Sequence, residues 1–287
     1  MPKIVLIIFS ILVVLLILVF VASAVANSLL ERQVEKEVEE LFGSSPEDKK
    51  EIITEADLAG LPPCVQKWLE RTQVVGKEKI RTVRLKQKGL LRLTEDQPWM
   101  PFEAEQYFNV DQPGFVWKAK VKMNPLLYFT GRDRYFQGHG EMNIKVLSIL
   151  PVVNAGGSSE MDQNTLLRYL AEIAWFPTAA LNDYIKWEDI DANSARATMS
   201  YNGVTSSGVY TFDDNGDVVS FFAKRYWEVN GQYVLNPWGG VVKGYNEFNG
   251  FRISSKTDVI WKLETGDFHW LQVEITDIDY NKPQLYQ

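Results

Sequence analysis

Proton-transfer chemistry near neutral pH needs an imidazole or a perturbed carboxylate, and the chain has two histidines, His139 and His269. His139 stands in Gly138-His139-Gly140-Glu141, where flanking glycines permit close approach and Glu141, two residues on along a strand, shares its face. The same pair also fits a solvated turn edge. His269, in Phe268-His269-Trp270-Leu271, reads as a strand residue packed among aromatics. Two histidines and a single cysteine, Cys64, do not supply a multi-His or Cys-rich metal centre, and no H-E-x-x-H motif is present. Cys64 follows two prolines with no nearby cation cluster to activate its thiol, so it reads as a small core residue. Gly156-Gly157-Ser158-Ser159 lacks both the P-loop and nucleophile-elbow patterns and reads as the entry and cap of a helix. Asp213-Asp214-Asn215-Gly216-Asp217 lacks the rest of a calcium loop and reads as a hairpin turn. No catalytic residue, metal ligand or cofactor site emerges.

Binding chemistry is better represented. Arg168 and Glu172 lie four apart on the otherwise apolar stretch Thr165–Phe176, and Trp175 continues their stripe. A charge on such a helix must be paired, because burying it alone is costly. The three residues are therefore either a structural ion pair beside a core tryptophan or a polar anchor inside a ligand cavity. Two cationic rows also stand out: Arg84, Lys86, Lys88 and Arg92 on one strand face, and Lys118, Lys120 and Lys122 on another. They form either a patch for anionic headgroups or cross-strand pairs with Glu103 and Glu105 between them.

The elements that position these groups follow from pattern and composition. The chain is 46% hydrophobic and 13% aromatic, enough for a sizeable core, and its net charge of −7 argues against a nucleic-acid binder. Ile4–Ala26 has no charge; as a helix it is about 34 Å long, enough to cross a hydrocarbon layer. A cleaved secretory signal is the rival reading, since Ala22-Ser23-Ala24 and Ala24-Val25-Ala26 both match small-residue cleavage sites. Either reading carries the rest of the chain out of the cytoplasm, and a retained anchor makes it a single-pass cell-membrane protein.

Leu30, Val34, Val38, Leu41 and Phe42, spaced three or four apart, predict that the helix continues as a stalk to a stop at Gly43-Ser44-Ser45-Pro46. A second helix begins at Pro62-Pro63 and carries Val65, Trp68 and Leu69. From Ile80 the period changes to two, and half-buried antiparallel strands follow through about Leu150. Asn154–Ser159 reads as a loop, Asp162–Phe176 as a helix and Thr178–Tyr184 as a short helix. From Ile185 strands resume, punctuated by Asn-Gly at 202–203, 215–216, 230–231 and 249–250. The fold class is mainly antiparallel β: a large curved sheet or half-barrel wrapped around a central helical pair, after an N-terminal transmembrane helix. Residues 1–27 are the anchor or signal, 28–60 a helical stalk or linker, and 61–287 one extracytoplasmic domain.

The element order resembles bacterial lipoprotein carriers of the outer-membrane sorting pathway, half-barrels whose helices close an apolar cavity. Three stretches carry a closer resemblance: Leu61-Pro62-Pro63 with Val65 and Trp68-Leu69; Thr130-Gly131-Arg132-Asp133-Arg134-Tyr135; and Leu167-Arg168-Tyr169-Leu170-Ala171-Glu172 with Trp175-Phe176-Pro177. They resemble a family of uncharacterised prokaryotic membrane-anchored proteins, from about residue 58 to the end. That resemblance implies membership and no particular activity.

The expected function is a membrane-tethered, extracytoplasmic binding domain for an apolar or amphipathic ligand such as a lipid. A scaffold or assembly partner at the membrane is the alternative, and a hydrolase using His139 or His269 a third.

Overall fold

The computed structural model describes residues 2–43, 50–229 and 231–286. Ser44–Pro46 of the expected helix stop and Asn230 of one expected turn lie outside these described residues. The chain opens with α1 (Pro2–Gly43), an unbroken helix of 42 residues. At 1.5 Å rise per residue it is about 63 Å long. Its apolar side chains from Ile4 to Val21 are exposed, and by length and composition this helix is able to cross a membrane. Its second half behaves differently. Leu30, Val34, Val38, Leu41 and Phe42 are buried against Tyr107 and Val116, so the helical part of the 28–60 segment lies along the sheet.

The body follows in a regular order. Helix α2 (Pro63–Arg71) precedes β1 (Thr82–Leu91), β2 (Met100–Asn109), β3 (Gly114–Lys122), β4 (Tyr128–Phe136), β5 (His139–Val146) and β6 (Leu150–Gly156). Then come α3 (Ser159–Glu172), β7 (Ile185–Asp191), β8 (Ser194–Tyr201), β9 (Val204–Phe212), β10 (Val218–Val229), β11 (Gln232–Phe248), β12 (Phe251–Leu263) and β13 (Gly266–Tyr280). The described residues form a 13-stranded antiparallel sheet in the order β6-β5-β4-β3-β2-β1-β13-β12-β11-β10-β9-β8-β7. The chain thus builds one half outward from β1, carries α3 from that edge to the opposite one, and returns through β7–β13 to pair with β1. This route lays α3 across the inner face, while α1 packs on the outer face of β2 and β3.

Local chemistry explains the boundaries. Pro62 and Pro63 open α2, whose buried Cys64, Val65, Trp68 and Leu69 face the core. The Trp68 ring lies 5.8 Å from Tyr210 and 6.2 Å from Trp187. Asn202-Gly203 and Asn249-Gly250 have positive φ at both positions, the backbone a two-residue hairpin turn requires. Helix α3 starts earlier than its apolar pattern suggests, because Ser158 Oγ accepts a hydrogen bond from Met161 N at 3.2 Å. It ends at Glu172 in a 3₁₀ turn, Ile173–Trp175, and a second 3₁₀ turn, Pro177–Leu181, replaces the expected short helix. Asn154–Gly156, read as loop, ends the edge strand β6; an edge tolerates polar and glycine residues that a central strand does not.

Aromatic packing joins α3 to the sheet. Phe108 contacts Phe176 at 4.7 Å between ring centroids and Phe115 at 5.9 Å, and Tyr169 stands 5.5 Å from Phe176. On β9, Gly208 leaves its face clear for the Phe221 ring: a β-carbon there would sit 2.1 Å from Phe221 Cζ. Gly208→Ala is expected to cost about 1–3 kcal/mol in urea unfolding, as core overpacking does. Gly244→Ala, where the nearest neighbour is the flexible Lys256 side chain at 3.6 Å, is the control and should change stability little.

Candidate functional site

The inner face carries a buried polar cluster under α3. Arg168 Nε donates to Glu172 Oε1 at 2.8 Å, and Arg168 Nη1 donates to Asp133 Oδ2 of β4 at 2.6 Å. Its guanidinium lies over the Phe115 and Trp117 rings at 5.0 and 4.8 Å. Glu172 Oε2 accepts from Gln106 Nε2 at 2.8 Å. Gln106 Oε1 accepts from Gln87 Nε2 at 3.2 Å, and Gln87 Oε1 accepts from Trp117 Nε1 at 2.9 Å. Burial pushes both the Asp133 and Glu172 carboxyls above their ordinary range, and the adjacent Arg168 charge restrains each rise. The cluster is a closed hydrogen-bonded network rather than a loose pair.

A second charge faces the same interior. Arg225 of β10 stacks over Trp238 at 4.4 Å and Trp261 at 5.8 Å. Trp227 meets Trp261 at 4.6 Å and Phe268 at 6.2 Å, so three tryptophans and a phenylalanine from β10–β13 wall this region. Burial, joined by the like charge of Arg168, pulls the Arg225 guanidinium down to about 10. It is still protonated at neutral pH. Just beyond it, the Asn164 side chain of α3 bonds both the N–H and the carbonyl of Tyr226 at 2.9 Å, completing a strand edge that β9 leaves unpaired.

Of the residues singled out in the sequence, the fold brings Arg168 and Glu172 together and sets Trp175 elsewhere. Trp175 is buried in the main core, where its carbonyl accepts Tyr280 Oη at 2.6 Å. Asp133, Gln106, Gln87 and Arg225 complete the inner face and were not singled out. The histidines do not meet at a cleft. His139 is exposed, with Nδ1 3.5 Å from Asp162 Oδ2, while Glu141 is taken by Arg132 at 2.6 Å. His269 contributes its backbone carbonyl to Arg92 Nε at 2.7 Å. No group of three or more His, Cys, Asp or Glu able to hold a metal occurs among the described residues. Asp213 caps its own turn, accepting from Asn215 N at 2.9 Å and Asp217 N at 2.8 Å. Burial raises the Cys64 thiol, so a thiol reagent is expected to leave it unlabelled in the native chain and to react after denaturation.

The outer face is charged and paired across strands. Lys122 meets Glu103 at 3.2 Å, Lys118 meets Glu31 of α1 at 2.6 Å and Glu105 at 3.5 Å, and Arg84 meets Asp279 at 2.9 Å. Two grooves of about 630 and 420 Å³ flank α1 there, the first of mixed lining between Glu31 and the Lys86–Lys120 rows, the second mainly polar beside Arg132 and Asn154. At the N-terminal end of this contact, Ser23 Oγ lies 2.7 Å from Tyr128 Oη and donates to Leu147 O at 2.8 Å. The apolar half of α1 therefore leaves the body beside the β3–β4 and β5–β6 loops. Those loops and the start of β6 expose Met123, Leu126, Ile149 and Leu150, with Leu126 the most exposed at 77%.

Comparison with known proteins places these features in context. No curated protein matches the chain. A domain assigned to an outer membrane lipoprotein-sorting protein of Vibrio parahaemolyticus is similar at 8% identity and a TM-score of 0.44, covering 79% of this chain and 95% of its own. A β-barrel-like protein of a domain of unknown function, DUF1849, from Brucella abortus is similar at 10% identity and a TM-score of 0.27, covering 71% of this chain and 99% of its own. The three stretches that carry the family resemblance in the sequence supply α2, the Asp133 strand and the Arg168–Glu172 helix. A model of a family of unknown function, DUF6544, matches residues 51–273, and the chain belongs to that family.

Proposed function

We propose that this chain is a membrane-tethered, extracytoplasmic domain that binds an amphipathic ligand such as a lipid. The observation that carries this reading is a charged cluster set inside an aromatic wall on the inner face of the sheet. A polar head and an apolar chain together match such a lining, and neither alone does. The position of α1 supports the tether. Ser23, inside the alternative cleavage sites, is buried and bonded to the start of β4 and to the β5–β6 loop, so the helix is built into the body on both sides of Ala24. Tyr128 and Lys120, whose Nζ lies 4.2 Å over the Tyr128 ring, stand where the apolar segment emerges, the composition of a membrane–water boundary.

The exposed loops around Leu126 also favour a second reading, a scaffold that meets a protein partner at the membrane surface. Native mass spectrometry of the full chain released from detergent separates the two. One lipid retained per chain supports the binding reading. A folded chain without lipid, still taking none up when phospholipid and fatty acid are supplied, defeats it and leaves the scaffold.

A further inference from the structure

We propose that Arg225 is the head-group anchor for a ligand with an anionic head, a carboxylate or a phosphate monoester, on a single apolar chain. The proposal rests on the binding reading above and names the class of ligand. Arg168 on the same face is matched by two carboxylates; the Arg225 side chain has no hydrogen bond or ion pair among the described residues and instead lies over two tryptophan rings. Its Nε is fully shielded and without a partner, as is Nε1 of the Trp238 on which it stacks. Both atoms are donors. Buried donors left without an acceptor cost about 1–3 kcal/mol each, so the region is short of acceptor oxygens. The nearest acidic groups do not fill the gap, because Asp133 and Glu172 are held by Arg168 and Gln106.

An anionic head supplies the missing acceptors and a charge in contact with the guanidinium, which Asp133 and Glu172 reach only at longer range. A carboxylate or phosphate oxygen pair accepts from a guanidinium in its fork geometry, while half-buried Trp227, packed on Trp261 and Phe268, offers apolar surface for the first part of a chain. A neutral head such as an ester brings acceptor oxygens without the charge. A cationic head brings no acceptor oxygen to Arg225.

The test uses the full chain in nanodiscs of phosphatidylcholine. The probes are palmitate carrying a mid-chain diazirine and the methyl ester of the same molecule, with photo-adducts mapped by peptide mass spectrometry. The expected result is adducts on β10–β13 from the acid, at least tenfold above the ester. Arg225→Gln should remove that preference, and Arg225→Lys should restore part of it. Competition separates the two heads. Displacement by unlabelled palmitate supports a carboxylate ligand, and displacement by dodecyl phosphate supports a phosphate monoester. Equal labelling by acid and ester, or an acid preference that survives in a folded Arg225→Gln chain, overturns the anionic-head proposal while leaving the binding reading intact. Adducts from neither probe on the inner face overturn both.

Discussion

Replacing Arg168 with alanine is expected to lower the unfolding free energy by about 3–5 kcal/mol, the cost of leaving a buried charge without its partner. Two carboxylates, Asp133 and Glu172, lose the same cation in that variant, and each is buried. Gln106 still donates to Glu172, so Asp133 is the more exposed to the loss. Both carboxyls already sit above their ordinary range because of burial, and removing Arg168 removes the main force holding them down. A raised folded-state value means that the folded chain holds protons the unfolded chain has released. Stability then falls as pH rises from the ordinary carboxylate value through the raised one. The deficit of Arg168→Ala should therefore be smallest near pH 4 and grow toward neutrality, read as denaturation midpoints of the full chain across that range. Arg168→Met combined with Asp133→Asn and Glu172→Gln removes the charges together and should recover more than half of the loss. A variant as stable as the parent at pH 7 would show that the network contributes no net stability.

The parts of this arrangement that were legible in the sequence are those fixed by local spacing. Arg168 and Glu172 are one helical turn apart, so their pairing follows from position alone. Asp133 is not readable in the same way. It lies 35 residues before Arg168, on a strand whose approach to α3 is decided by the route of the chain from one sheet edge to the other. The alternation of Arg132 and Asp133 on β4 sends one charge to each face, and two helices use them. Arg225 is hidden for a different reason. Lys224-Arg225-Tyr226-Trp227 has polar and aromatic residues on both faces, so period-two reading assigns neither side to the interior. Extending the helical stripe ties Trp175 to Arg168 and Glu172, but α3 ends at Glu172, and the Trp175 side chain packs in the main core. Glu37 was present in the pattern and hidden by its neighbours. It belongs to an acidic run from Glu31 to Glu40, yet it falls at the spacing of Val34 and Leu41 on the buried side of α1.

Arg132→Met should release that helix from the sheet. Arg132 and Glu37 are 5% and 8% exposed and form a two-bond fork, Nε to Oε2 at 2.8 Å and Nη2 to Oε1 at 2.5 Å. Arg132 Nη1 also donates to Glu141 at 2.6 Å. With methionine in place, Glu37 keeps only the Gln33 amide, at 2.8 Å, under a lid of apolar side chains. The expected cost is again about 3–5 kcal/mol, but it falls on one contact surface rather than on the main core. The loss should appear as local opening of α1, while the sheet and α3 stay protected in hydrogen exchange. Arg32 and Lys36 face solvent in the helix, so trypsin reads the change directly: cleavage after both should quicken at least tenfold in Arg132→Met. Adding Glu37→Met replaces the ion pair by apolar volume and should return cleavage close to the parental rate. If Arg132→Met leaves both cleavage and exchange unchanged, the five buried apolar residues of the stripe hold α1 without the fork. If the double variant remains as labile as the single one, the fork is what docks the helix on the sheet.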